Sequence, residues 1–207
     1  MTTTINASTS AGLVQTADTS GVLALQTAGT TAVTISSGQV ATFAQAPVLP
    51  AASIPQAALA ANVAGNGPAF SAYLSANQNL TASTYTKVTI NTKDFDTNSN
   101  YDNSTNYRFT PTIAGYYQVN VNANFNSTGV NPTNDITLLY KNGSEIKRVV
   151  GASATSSYGN TLSSLIYMNG STDYLEMYVF YSGGTGTVSI TGGTNYTYFS
   201  ASMVRSA

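Results

Sequence analysis

At 207 residues the chain is long enough for one well-cored domain with an appendage, or for two small domains. Only 7% of its residues are charged and its net charge is -1, which excludes the basic stripe that nucleic-acid binding needs. It has no cysteine and no histidine, so disulfides, thiolate nucleophiles, the Ser-His-Asp triad and the usual zinc sites are excluded together.

The first residues, Met1-Thr-Thr-Thr-Ile-Asn-Ala-Ser, carry neither a basic region nor an apolar run, and no segment is long enough to span a membrane. Synthesis in a cytoplasm, without membrane insertion, is the expectation. Charge is uneven along the chain, for Asp18 is the only charged side chain before Lys87. Residues 1–43 read as short alternating strands around Val22, Leu23 and Leu25, around Ala32, Val33 and Ile35, and around Val40 and Phe43. Turn clusters at Thr19-Ser-Gly21, Ala28-Gly29 and Ser36-Ser-Gly38 separate them. So short a segment cannot bury a core alone, and it is expected to share its apolar face with other copies or with a partner. Residues 44–69, rich in alanine and interrupted by Pro47, Pro50, Pro55 and Pro68, read as an extended linker in which Gln56 to Val63 has the pattern of two helical turns.

From residue 70 to 207 the pattern is continuously β, with short apolar runs broken by turn residues, as in a sandwich or jelly roll. Its clearest element follows Phe109, where Tyr117, Val119, Val121, Ala123 and Phe125 alternate with Gln118, Asn120, Asn122, Asn124 and Asn126. Side chains on a strand alternate between faces, so this is a long strand with one dry face and one uncharged face expected to meet water. Asn142-Gly143, between Tyr140 and Ile146, suits a type I′ hairpin turn.

The entry Phe109-x5-Gly115-x-Tyr117-x-Val119-x-Val121 resembles the signature of the globular head of complement C1q and its tumour-necrosis-factor-like relatives. The resemblance extends to Leu138-Leu-Tyr-Lys-Asn142-Gly143, to Met168-Asn-Gly170-Ser-Thr-Asp173-Tyr-Leu175 and to Tyr198-Phe-Ser-Ala201. It implies an all-β, ten-stranded antiparallel jelly roll that assembles as a homotrimer with one sheet of each protomer facing the three-fold axis. Tyr174, Tyr178 and Phe180 make the second face of a strand already carrying Leu175, Met177 and Val179 aromatic as well. These three rings are the candidate trimer interface, with packing inside one sandwich as the alternative.

Gly21 to Ile35 resembles the leading segments of phage tail fibres and other minor virion proteins. Together with the head this implies a non-enzymatic virion protein made in the host cytoplasm, docked to other virion proteins through residues 1–43. Its projecting head would meet a glycan or protein of the host surface. A capsid decoration or head-fibre protein shares these features, and a bacterial adhesin or spore-coat protein is a further alternative.

The alternation of Asp94, Asp96, Asn98, Asn100 and Asp102 places an oxygen ligand at every second residue, as a calcium loop would. Members of the resembled family often hold calcium near the trimer axis. The competing reading is a solvated loop of turn formers. Asp173 with Glu176, and Asp94 with Asp96, are the acidic pairs nearest in sequence, and neither has the facing placement glycoside hydrolysis demands. No catalytic residue and no organic cofactor is assigned.

Overall fold

The computed structural model describes residues 20–45, 64–151 and 156–207. The chain divides into two compact units, residues 1–53 and 54–207. The helical turns expected at 56–63, most of the linker and the first nineteen residues lie outside the described residues.

In the first unit, β1 (Leu23–Thr27), β2 (Thr30–Ile35) and β3 (Ala41–Phe43) form an antiparallel meander in that order. The β1–β2 hairpin turns through Ala28 and Gly29, both at positive φ (52° and 74°), as a two-residue type I′ turn requires. Between β2 and β3 the Gln39 N–H donates to the Ser36 carbonyl (2.9 Å) and the Ser36 N–H to the Val40 carbonyl (3.0 Å). Cross-strand partners share a face. Leu23 pairs with Ile35 and Ile35 with Ala41, while Leu25 pairs with Val33 and Val33 with Phe43. One face therefore carries these two apolar rows, with the polar pair Gln26 and Thr31 beyond them at the β1–β2 turn end, and the other carries Ala24, Thr34 and Thr42.

The second unit contains β4 (Ala69–Tyr73), β5 (Gln78–Asn79), β6 (Thr86–Lys87), β7 (Thr92–Asp96), β8 (Tyr101–Asp102), β9 (Arg108–Phe109) and β10 (Gly115–Asn126). It continues with β11 (Asn134–Lys141), β12 (Ser144–Val150), β13 (Tyr158–Met168), β14 (Leu175–Ser182), β15 (Ser189–Ile190) and β16 (Tyr198–Ser206). The larger sheet runs β5-β15-β10-β16-β4-β7, with β13 paired to β10; the smaller runs β12-β11-β14-β9-β8, with β6 paired to β14. The pairings are antiparallel. The jelly roll expected with ten strands shows thirteen paired segments among the described residues, because loop chemistry interrupts several strands. After β8, Asp102 takes the N–H groups of Ser104, Thr105 and Asn106, and after β9 comes Pro111, which has no N–H to offer a ladder.

The core lies between the two sheets. Phe70 stacks on Tyr101 (4.5 Å) and Phe109 (4.6 Å) and meets Phe199 edge-on (5.0 Å), and Phe109 meets Tyr117 at 5.5 Å. Each ring removed from water contributes roughly 2 kcal/mol or more. Two phenols in this cluster are satisfied inside it, Tyr101 donating to the Ile90 carbonyl (3.0 Å) and Tyr117 to the Ile113 carbonyl (2.7 Å). The apolar row of β10 is buried from Tyr117 to Phe125, as its alternation predicts. Gly115 opens that strand because a Cβ there would stand 2.5 Å from the Arg205 carbonyl oxygen. The β11–β12 hairpin turns through Asn142 and Gly143 at φ 54° and 77°, the type I′ geometry expected of that dipeptide.

Candidate interaction surfaces

On the outer face of the smaller sheet, Tyr174, Tyr178 and Phe180 are half-buried, and each finds a partner within the same chain. Tyr178 stacks on Tyr140 at 4.2 Å, Phe180 packs against Tyr85 at 4.7 Å, and the Arg108 guanidinium lies 4.5 Å over the Tyr174 ring. Lys87 reaches Glu176 at 2.5 Å and lies 5.9 Å from the Tyr178 ring centre. Burial, then the Glu176 carboxylate, push the Tyr178 phenol up. On this same face Leu138, the cross-strand partner of Tyr178, is fully buried. The second apolar face of β14 thus gets its cover from its own sheet and the residues leading into β6. These contacts within one chain leave the three rings half-buried on the outer face, where they still stand as candidates for a trimer interface.

The larger sheet presents a different outer face. Tyr116, Leu165, Tyr167 and Val204 are 40%, 54%, 44% and 46% exposed. Tyr116 pairs with Tyr167 across β10 and β13 and with Arg205 across β10 and β16, and Gln118 pairs with Leu165. Among the residues of β10, β13 and β16, Arg205 alone is charged. The rest of the face is an amide and hydroxyl ladder that satisfies itself. Gln118 donates to Ser163 (2.8 Å), Ser163 to Asn120 (2.8 Å) and Thr161 to Asn122 (2.8 Å), while the Asn122 amide donates to the Tyr196 carbonyl. Asn122 is only 9% exposed, so the amide row expected to meet water is buried at its centre by the 196–198 turn and β13. Polar groups already paired with one another can be covered by another surface without losing hydrogen bonds.

Sequence reasoning missed this cluster because no single strand displays it. Tyr116 opens the amide row, and Leu165 and Tyr167 fall on the same parity of another strand; only the β10–β13 register joins them. It also missed Asp135, fully buried on β11, whose carboxylate, second to burial, pushes the Tyr158 phenol up.

Each of the five candidate calcium ligands accepts a hydrogen bond from within the chain. A bulge between Ser71 and Ala72 leaves Asp94 without a paired residue, and its carboxylate accepts from the Ser71 hydroxyl (2.8 Å). Asp96 pairs with core-facing Phe70 and accepts from Lys93 (2.9 Å) and from the backbone N–H groups of Asn100 and Tyr101 (3.0 Å each). Burial opposes ionisation of Asp96, but these donors outweigh it and hold the carboxyl below its ordinary value. Asp102 is held well below the carboxylate range by the N–H groups of Thr105 and Ser104, with Asn106 adding to them. The Asn100 side-chain oxygen accepts from Thr112 and that of Asn98 from Thr97. Among the described residues no group of three or more acidic side chains is placed to hold a metal.

The acidic pairs are likewise committed. Asp173 accepts from Lys141 (2.8 Å), the Asn142 amide (2.8 Å) and the Asn169 N–H (3.0 Å), locking the β13–β14 turn against the β11–β12 hairpin. Glu176 is held by Lys87. Among the described residues no helix is long and apolar enough to cross a membrane.

No protein-family model matches the sequence, and no curated protein sequence is significantly similar to it. Solved structures do match in shape. Murine APRIL superposes with a TM-score of 0.51 at 6% identity, over 66% of this chain and 98% of that one. Eiger TNF from S. frugiperda gives 0.51 at 9% identity over 68% and 96%, and PRD1 vertex protein P5 gives 0.50 at 17% identity over 67% and 97%. Two packed antiparallel sheets, the Phe109-to-Val121 core motif and these superpositions give one conclusion: the second unit has the jelly-roll fold of the C1q and tumour-necrosis-factor heads.

Proposed function

We propose that the chain is a non-enzymatic structural protein of a bacteriophage virion, a spike- or fibre-type subunit whose head self-associates as a homotrimer and projects from the particle. The observation that carries this reading is the likeness in shape to PRD1 vertex protein P5, alongside an N-terminal segment of fibre-like composition. Self-association is supported by the exposed Tyr116, Leu165, Tyr167 and Val204 cluster on a face almost without charge, the depletion that marks the centre of interfaces. Residues 1–43 dock to other virion proteins, and the loops, rich in Asn, Ser and Tyr, meet a glycan or protein on the host.

A vertex is a site on a capsid shell, so the likeness to a vertex protein favours attachment to the capsid, as a head fibre or decoration, over attachment to the tail. Antibody to this chain, imaged on intact particles, tests both readings. Label at capsid vertices is expected; label on the tail favours the fibre reading, and particles without label overturn the virion assignment.

A further inference from the structure

The meander of residues 20–45 has an amphipathic sheet, and among the described residues of its unit nothing packs on its apolar face. Leu23, Ile35 and Ala41 form one row across the three strands, and Leu25, Val33 and Phe43 the next. Leu23, Leu25 and Phe43 are exposed. A three-stranded sheet of this size needs something packed on its apolar face to be stable in water.

We infer that the face is covered by the same face of other copies of this chain, the meanders turning their apolar sides to a common axis and their threonine sides to water. This rests on the self-association proposed for the head. Three properties of the segment select copies of itself over a separate partner. Residues 20–45 contain no charged side chain, so nothing on either face steers or selects a partner by charge. The apolar face is continuous across all three strands, with Val33 at its centre on the middle strand. Such a uniform face complements itself under rotation about an axis. Finally, meanders tethered to one assembled set of heads meet at an effective concentration on the order of millimolar, which a dilute partner does not match.

The chain has no cysteine, so one introduced thiol reports on one position. Full-length Val33→Cys and Thr34→Cys variants, neighbours on opposite faces of β2, are treated with a short thiol-to-thiol cross-linker while native mass is measured. Val33→Cys should shift from the band of one chain to that of two on a denaturing gel, and Thr34→Cys should not, in a particle with the mass of three chains. A three-chain mass with no cross-link at Val33→Cys, or with equal cross-linking at both positions, overturns this inference and leaves the head's self-association standing. A one-chain mass without cross-linking overturns both. A one-chain head unit (residues 64–207) beside a full chain that cross-links only at Val33→Cys keeps this inference and removes the one it rests on.

Discussion

Tyr116 and Tyr167 are directly paired across β10 and β13, with ring centres 5.4 Å apart and both rings open to solvent beside Leu165, on a face that continues as amides and hydroxyls. If this is where copies of the head meet, a charge there should block assembly and spare the fold, because both positions are exposed in the single chain. Tyr116→Glu should sediment as one chain with an unchanged β-sheet circular dichroism spectrum. Tyr178→Glu, on the other sheet, should still assemble. Assembly by Tyr116→Glu with loss of assembly by Tyr178→Glu would return the interface to the β14 rings.

Gly115 should tolerate no side chain. A Cβ would sit 2.5 Å from the Arg205 carbonyl oxygen, an atom of the paired backbone that cannot swing aside, and 3.3 Å from the Met203 sulfur. Gly115→Val should cost about 2–3 kcal/mol as overpacking, read as a lower denaturant midpoint. An unchanged midpoint would mean that β16 does not close on β10 here.

Asn122 looks interchangeable in a row of amides, but its neighbours make it specific. Its amide donates to Tyr196 and its oxygen accepts from Thr161. Asn122→Asp replaces the donor with a second acceptor facing a carbonyl, and should cost about 2 kcal/mol, against a few tenths for Asn124→Asp, which is more open. Val121→Asp, on the fully buried side of the strand, should prevent folding of the head. Thermal melts of the three variants give the order.

Asp173 carries a pH dependence. Burial works against its charge, but Lys141, the Asn142 amide and the Asn169 N–H hold its carboxyl below the ordinary value of 3.8. The folded value is the lower one, so the contribution is whole above pH 3.8 and is lost as pH falls below that through the folded value. Asp173→Asn should be less stable than the parent at neutral pH and should lose less stability on acidification. Parallel acid-unfolding curves for the two proteins would show that the residue has no such role.

Calcium should add nothing to the stability of the head, since the Asp96 and Asp102 carboxylates already accept several internal donors each. Melting with chelator and with added calcium should coincide. A higher melting temperature in calcium would mean that the metal displaces these donors.

Much of this was written into local pattern. The alternation from Tyr117 to Asn126 specifies a strand and its buried face because side-chain direction on a strand depends only on parity. Asn142-Gly143 specifies its turn because both residues accept positive φ, and the absence of cysteine and histidine limits the chemistry whatever the fold. What stayed hidden depends on residues distant in the chain. The β10–β13 register joins Tyr116 to Leu165 and Tyr167, the 196–198 turn buries Asn122, and Tyr85, Arg108 and Tyr140 cover the ring row of β14. A bulge in the β4–β7 pairing separates Asp94 from Asp96, which two-residue spacing in a regular strand would have kept on one face. Parity says which side of its own strand a residue occupies; only the pairing of strands decides what stands beside it there.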